Sequence, residues 1–378
     1  MSTFLVVFLS VYSVMHALVF ARIRVLLPNR WPVQILCALF FVGMILAPIF
    51  VRLLENSGHD PQARLVAWVG YPWMGFIFLS FSAFLVLGLY DLLGALMGLA
   101  KLRLPSSSGT LPTAMVLVVV VLVCLYGYID AKRIRTEKVS IKTSKLPAGV
   151  DRLRIVQISD VHLGLLVGSE RLRAILSRVR AESPDILVST GDLVDGNMNK
   201  ERLAGISELF NEIPARYGKY GVTGNHEYIA GLAQSLDVTR QFGFKVLREE
   251  MVEVGDVLTI VGVDDPMGSS ATDETTLLSS AGNGRFILLL KHRPEVNEKS
   301  LGLFDLQLSG HTHRGQIFPL NFVTARFYPM QDGYYEQEKG SILYTSRGSG
   351  TWGPPMRVLS PPEVTLIELV RDTDPNGP

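Results

Sequence analysis

Two apolar patterns divide the chain. Up to about residue 130, apolar residues run in unbroken stretches of about 20, the length of a membrane-spanning helix. Beyond residue 153 they come in short runs separated by helical and polar segments, the pattern of an α/β or mixed layered domain. The long stretches run from Phe4 to Phe20, Val33 to Leu54, Val66 to Leu89 (with apolar character continuing to Leu99) and Leu111 to Ile129. "VQILCALFFVGMILAPIFVRLL" and "TAMVLVVVVLVCLYGYI" are too long and too uniformly apolar for the helices of a soluble domain. Trp31, Trp68, Tyr71, Trp73, Tyr126 and Tyr128 lie near the ends of these stretches, where interfacial aromatics belong. Residues 1–131 are therefore predicted as a four-span, all-α transmembrane region. The first stretch lacks a basic segment before it and three more follow, so it does not read as a cleaved signal. His16 inside a span keeps a transport role in view, but few other polar residues accompany it and an anchor is the expected role.

The short runs predict strands at 154–159, 185–190, 220–224, 257–263, 286–292, 305–310, 341–346 and 363–369. A helix is predicted after the first strand, with Ser169 as N-cap and Leu172, Ile175, Leu176 and Val179 sharing a face. Residues 132–152, with Lys132, Arg133, Arg135, Lys138, Lys142 and Lys145, read as a basic juxtamembrane linker, either solvated or held near anionic headgroups. The domain proper is placed at 153–370 and a frayed tail at 371–378.

Composition changes this picture in three places. Of 378 residues, 48% are hydrophobic, and the mean hydropathy of +0.28 fits a membrane protein. The net charge of only +1 gives no reason to expect nucleic acid as a partner. Cys37 and Cys124 both fall in predicted spans, so the remainder has no disulfide framework. Basic residues weakly favour a cytosolic face for the domain, and the rule weakens where a large domain follows the span, so the membrane side stays open.

The candidate chemistry lies at strand ends. "QISDVHLG" gives Asp160 and His162; "STGDLVDG" gives Asp192 and Asp195; "VTGNHEY" gives Asn225, His226 and Glu227; "LLKHRPE" gives His292; "LSGHTHRG" gives His311 and His313. Every histidine after the membrane region lies in one of these clusters. A lone DxH or HxH is a weak signal, and two imidazoles in a turn are commonly just solvated. Five clusters in order, each at the carboxyl end of a strand where ligands converge, are a strong one. Mixed oxygen and imidazole donors suit manganese, iron or zinc, with no thiolate to favour soft ions. Two such ions share a bridging carboxylate and a bridging hydroxide, and clamp both oxygens of a phosphoryl displacement.

Residues 153–370 resemble a calcineurin-like metallophosphoesterase, through Asp160-x-His162, Gly191-Asp192-x-x-Asp195, Gly224-Asn225-His226-Glu227, His292 and Gly310-His311-x-His313. The likeness is greatest to the membrane-attached branch, which carries a hydrophobic N-terminal region and a late segment like "RGSGTWGPPMR" (347–357). The resemblance implies a four-layer α/β/β/α sandwich and two divalent metal ions. Asp160, His162, Asp192 and His313 would hold one; Asp192, shared, with Asn225, His292 and His311 would hold the other. His226 would be a general acid or a phosphate-oxygen ligand, and Asp195 would orient its loop without touching metal. Glu227 is placed at a helix start, where a carboxylate suits the dipole. Arg314 departs from the glycine common in relatives, and either grips a substrate phosphate or points to solvent. Arg293, Arg347 and Arg357 are weaker candidates of the same kind.

The expected function is hydrolysis of a phosphoester or pyrophosphate, in a lipid-linked substrate because the anchor holds the domain at the bilayer. Within the resembling family, cleavage of UDP-2,3-diacylglucosamine is one candidate and an outward-facing phosphodiesterase another. The polar loop 263–274 either lines the cleft or is an idle surface loop. Two other classes stay in view: a non-catalytic scaffold binding a partner, and a regulatory domain of a membrane transporter or sensor.

Overall fold

The computed structural model describes residues 3–99, 106–196, 198, 200–268, 273–282 and 284–372. Lys101 and Arg103, residues 269–272 of the polar loop and the tail beyond residue 372 lie outside them. The chain forms two compact units, Met1–Ile129 with Gly353–Val358, and Asp130–Trp352 with Leu359–Pro378.

The first unit contains α1 (Thr3–Ile23), α2 (Trp31–Asn56), α3 (Asp60–Leu99) and α4 (Thr110–Lys132, whose last residues belong to the second unit). All four helices are long and apolar enough to cross a membrane. At 40 residues, α3 is about 60 Å long, twice the hydrocarbon thickness of a bilayer. Tyr12, Met15, Val19, Phe41, Ile77 and Phe84 form the interior, while Leu36, Val86, Val118 and Leu122 point outward, the inside-out arrangement expected in lipid. His16 is buried, with one ring nitrogen bonded to the Tyr12 carbonyl and the other accepting from Trp73 Nε1. One nitrogen is therefore spent within α1 and the other on packing α1 against α3. The late segment joins this unit at Gly127, whose carbonyl accepts from Arg357 N–H at 2.9 Å.

The second unit runs β1 (Arg135–Thr143), β2 (Arg152–Ile158), α5 (Ser169–Ala181), β3 (Ile186–Ser189), α6 (Lys200–Asn211), β4 (Lys219–Gly221), α7 (Asn225–Ala230), α8 (Leu232–Gln241) and β5 (Lys245–Val246). It continues with β6 (Glu250–Val254), β7 (Leu258–Val263), α9 (Glu274–Ser280), β8 (Phe286–Lys291), β9 (Leu306–Ser309), α10 (Leu320–Phe327), β10 (Gly333–Glu336), β11 (Ile342–Thr345) and β12 (Glu363–Arg371). The strands form two six-stranded sheets, ordered β1-β12-β2-β3-β4-β5 and β10-β11-β9-β8-β7-β6. Ile155, Val188, Ile260, Leu288 and Leu308 pack between the sheets. Val156, Leu176, Phe210 and Phe242 fill the layer under the first set of helices, and Val261, Leu278 and Leu289 the layer on the other side. This is a helix–sheet–sheet–helix sandwich, as expected.

All eight predicted strands are present. Two local expectations change. The linker at 132–152 contains β1, because Val139 and the buried Ile141 alternate with outward lysines and β1 pairs in parallel with β12. Ser169 is the first helical residue of α5 rather than its cap; Gly168 takes the cap position, and Leu172, Ile175, Leu176 and Val179 are buried as expected.

Candidate metal centre

Topology brings the clusters together. Asp160 and His162 follow β2, Asp192 and Asp195 follow β3, and Asn225 and His226 follow β4. These strands are consecutive parallel neighbours in one sheet. His292 follows β8 and His311 follows β9, parallel neighbours in the other. The carboxyl ends of both sheets thus face one place. Gln157 ties them together from below, donating to Thr190 Oγ1 at 2.8 Å and to the Ser309 carbonyl at 2.9 Å.

The backbone is held in an unusual conformation there. Asp160, His162, Asp192, His311 and His313 all have positive φ, between 47° and 72°. A non-glycine residue in this region costs about 1–2 kcal/mol. Such strain concentrates where side chains must converge. At Gly310 a methyl group would sit 2.3 Å from Asp160 Oδ2, and at Gly191 (φ 95°) it would sit 2.7 Å from His292 Nδ1. Glycine is needed at both for the loops to approach each other.

The side chains form two facing sets. In the first, His162 Nε2 lies 3.0 Å from His313 Nε2, and His313 Nε2 lies 3.5 Å from Asp160 Oδ1. In the second, His292 Nε2 lies 3.2 Å from each of Asn225 Oδ1, His311 Nδ1 and Asp192 Oδ2. Asp192 Oδ2 is also 3.9 Å from His162 Nε2, so this carboxylate stands between the sets. The ligand atoms of Asp160, His162 and His313, and those of Asp192, His292 and His311, lie within 4.8 Å of one another in each group.

A divalent cation fits this donor set. Imidazole nitrogens and carboxylate oxygens that converge this closely are the donor set that a shared divalent cation takes. His162 Nδ1 is buried without a hydrogen-bond partner. Burial and the neighbouring His226 push His162 down to about 4, and burial with His292 pushes His311 down to about 3. Both are therefore neutral, the form that ligates metal. Burial works against ionisation of Asp192, but His292 and His226 hold its carboxyl well below the usual range. Burial likewise opposes charge on His292, yet Asp192 pushes it up to about 10. A cation among these groups would take the place of that proton. The His292 ring is already oriented, since Nδ1 donates to the Thr190 carbonyl at 2.7 Å and leaves Nε2 facing the site.

His226 and its partners surround this cluster. His226 Nδ1 lies 2.5 Å from Asp195 Oδ1, its backbone N–H donates to Asp192 Oδ1, and its Nε2 lies 4.0 Å from Asp192 Oδ2. Asp195 therefore orients the His226 ring. Glu227 does more than begin α7. Its carboxylate accepts from the backbone N–H groups of Asp192, Leu193, Val194 and Gly224, fixing the loop that carries Asp192. Removing it in Glu227→Ala strands four buried donors and is expected to cost roughly 3–5 kcal/mol of stability. A denaturant melt reading below about 1 kcal/mol would refute that role.

The arginines separate by partner. Arg293 is paired with Asp265 through two hydrogen bonds of 2.7 and 3.0 Å. Arg347 is held by Glu137 and, at 2.6 Å, by Glu363, so its guanidinium is committed within the fold. Arg357 is fully buried in the late segment. Arg314 is part-exposed, 3.4 Å from Asp332. Two aromatic neighbours of the site carried no role in the sequence reading. Trp352 stands edge-on to His226 at 5.5 Å, its backbone clamped by both ends of the Gln316 amide, and Tyr328 stands edge-on to His311 at 5.2 Å. The late segment containing Trp352 carries a family resemblance, but nothing local in the sequence places its ring beside His226.

Residues 153–315 match the family model for the calcineurin-like phosphoesterases. An uncharacterized metallophosphoesterase of Aquifex aeolicus (strain VF5) is 40% identical over 66% of this chain and 97% of its own length. A transmembrane protein with metallophosphoesterase domain from Danio rerio is 30% identical over 92% of this chain and 83% of its own. That alignment is too long to leave out the apolar helices. A protein of the same name from Bos taurus is 31% identical over 61% of this chain and 56% of its own. The chain belongs to the calcineurin-like phosphoesterase family.

Proposed function

We propose that this chain is a membrane-anchored, metal-dependent hydrolase of phosphoester or pyrophosphate bonds, acting on a lipid-linked phosphorylated substrate. The observation that carries the reading is the position of Asp192 between two sets of facing ligand atoms. Asp160, His162, Asp192 and His313 would hold one divalent cation, and Asp192, Asn225, His292 and His311 the other. When bound, such a pair supplies Lewis-acid polarisation of phosphoryl oxygens and a water of lowered pKa. The protein's own contribution is orientation and proton transfer. Burial opposes charge on the His226 ring, but Asp195, accepting from Nδ1–H, and Asp192 push it up to about 9, so the imidazolium presents Nε2–H to the site and donates that proton to the leaving oxygen. Glu227 holds Asp192 in place. Arg314, the part-exposed arginine of the set, is the one we assign to a substrate phosphate, whereas Arg293 and Arg347 support the surrounding loops.

The lipid-linked class follows from the four membrane-length helices in the same chain, which hold the site at a bilayer. UDP-2,3-diacylglucosamine is one substrate of that class. The test uses full-length protein in detergent, stripped with chelator and resupplied with manganese, iron or zinc. Hydrolysis of an aryl phosphodiester should vanish on stripping and return on resupply. Turnover that survives complete stripping would overturn the reading, as would two bound metals with no cleavage of any phosphoester.

A further inference from the structure

Helix α10 differs from α5 of the same unit. In α5 the apolar residues Leu172, Ile175, Leu176 and Val179 are all buried. In α10, "LNFVTARF", no residue is buried. Phe322, Val323 and Phe327 are 66%, 54% and 73% exposed, and Leu320 and Phe318 are also open. Three part-exposed phenylalanines alone present on the order of 350 Å² of apolar surface, large for a patch with no occupant. Phe318 and Phe322 pack against each other at 5.6 Å, which joins the residue before the helix to the exposed set.

Its chemistry and position narrow the occupant. From Gly315 to Gln331 there is no acidic residue, and Arg326 is the single charged one. A short helix that exposes aromatic and aliphatic residues with an arginine among them suits the boundary between headgroups and acyl chains. A bilayer is at hand, because the same chain carries four membrane-length helices. The helix is also continuous with the candidate metal centre. It follows the turn carrying His313 by five residues, and Tyr328, immediately after it, stands edge-on to His311.

We propose that α10 is an interfacial membrane element, inserting Phe322, Val323 and Phe327 into the bilayer and presenting the rim of the metal centre to phosphates at headgroup level. This deepens the lipid-linked reading, and the docking itself is tested without turnover.

The experiment places a nitroxide at Val323→Cys, Arg326→Cys or Asp237→Cys in full-length protein carrying Cys37→Ser and Cys124→Ser, reconstituted in phosphatidylglycerol–phosphatidylethanolamine vesicles. Power saturation compares access to oxygen with access to a water-soluble nickel chelate. Label at 323 should favour oxygen at a depth of about 5–10 Å, label at 326 should be intermediate, and label at 237 on exposed α8 should favour nickel. Equal nickel access at 323 and 237 would overturn the proposal. So would shielding of 323 from both reagents, since that marks burial against a second copy or another protein. Because depth is read independently of hydrolysis, a failed docking and a failed hydrolase assignment give different results.

Discussion

Asp192→Asn in the full-length protein is expected to lower turnover by roughly 10³-fold or more and to reduce divalent cation binding. The amide keeps the shape and one carbonyl oxygen but removes the charge that stands between His292, at 3.2 Å, and His162, at 3.9 Å. Asp192 also accepts the His226 backbone N–H, a bond the Asn oxygen can keep, so the loop should survive. Metal content and steady-state rates, measured beside thermal unfolding, separate loss of the centre from loss of fold. Wild-type turnover in a folded Asn variant would remove Asp192 from the chemistry.

The second large effect concerns the proton. His226→Gln is expected to lower kcat by about 10²–10⁴ for an alkyl phosphodiester, whose leaving oxygen needs protonation. For a nitrophenyl ester the loss should be far smaller, because that leaving group departs without help. Asp195→Asn should show the same dependence on leaving group with a smaller amplitude, since it disturbs only the orientation of the ring. The check is a series of esters of graded leaving-group pKa against all three proteins. A loss that is uniform along the series would make His226 a binding group and not an acid.

The strands that the sequence announced and those it hid differ in one respect. All eight expected strands lie inside a sheet and are covered on both sides by neighbours. β1, β5, β6 and β10 are the edges of the two sheets, and all four went unread. An edge strand is paired on one side only, so it can be short, as β5 is at two residues, or charged, as β1 is, and leave no apolar run. The ligand clusters were legible for the opposite reason. Each follows an interior strand, and except after β4 a buried apolar run stops abruptly at histidine or aspartate.

Contacts made across the fold left no such mark. Glu227 reads locally as a helix-start carboxylate, and only the structure shows it accepting four backbone N–H groups. The pairing of Asp195 with His226 spans 31 positions, and Trp352 reaches His226 from another loop altogether. Positive φ at five of the clustered residues is invisible in residue types that ordinarily avoid it. α10 shows a related limit: an apolar helix looks the same in sequence whether protein or lipid is meant to cover it.

Two cation positions sharing Asp192 are the core of this reading, and manganese spin coupling tests them directly. Full-length protein loaded with manganese should bind two ions per chain and give the multiline paramagnetic resonance signal of an exchange-coupled pair. Asp192→Asn should lose that signal. One uncoupled manganese per chain in the wild type, or none, would contradict a shared centre.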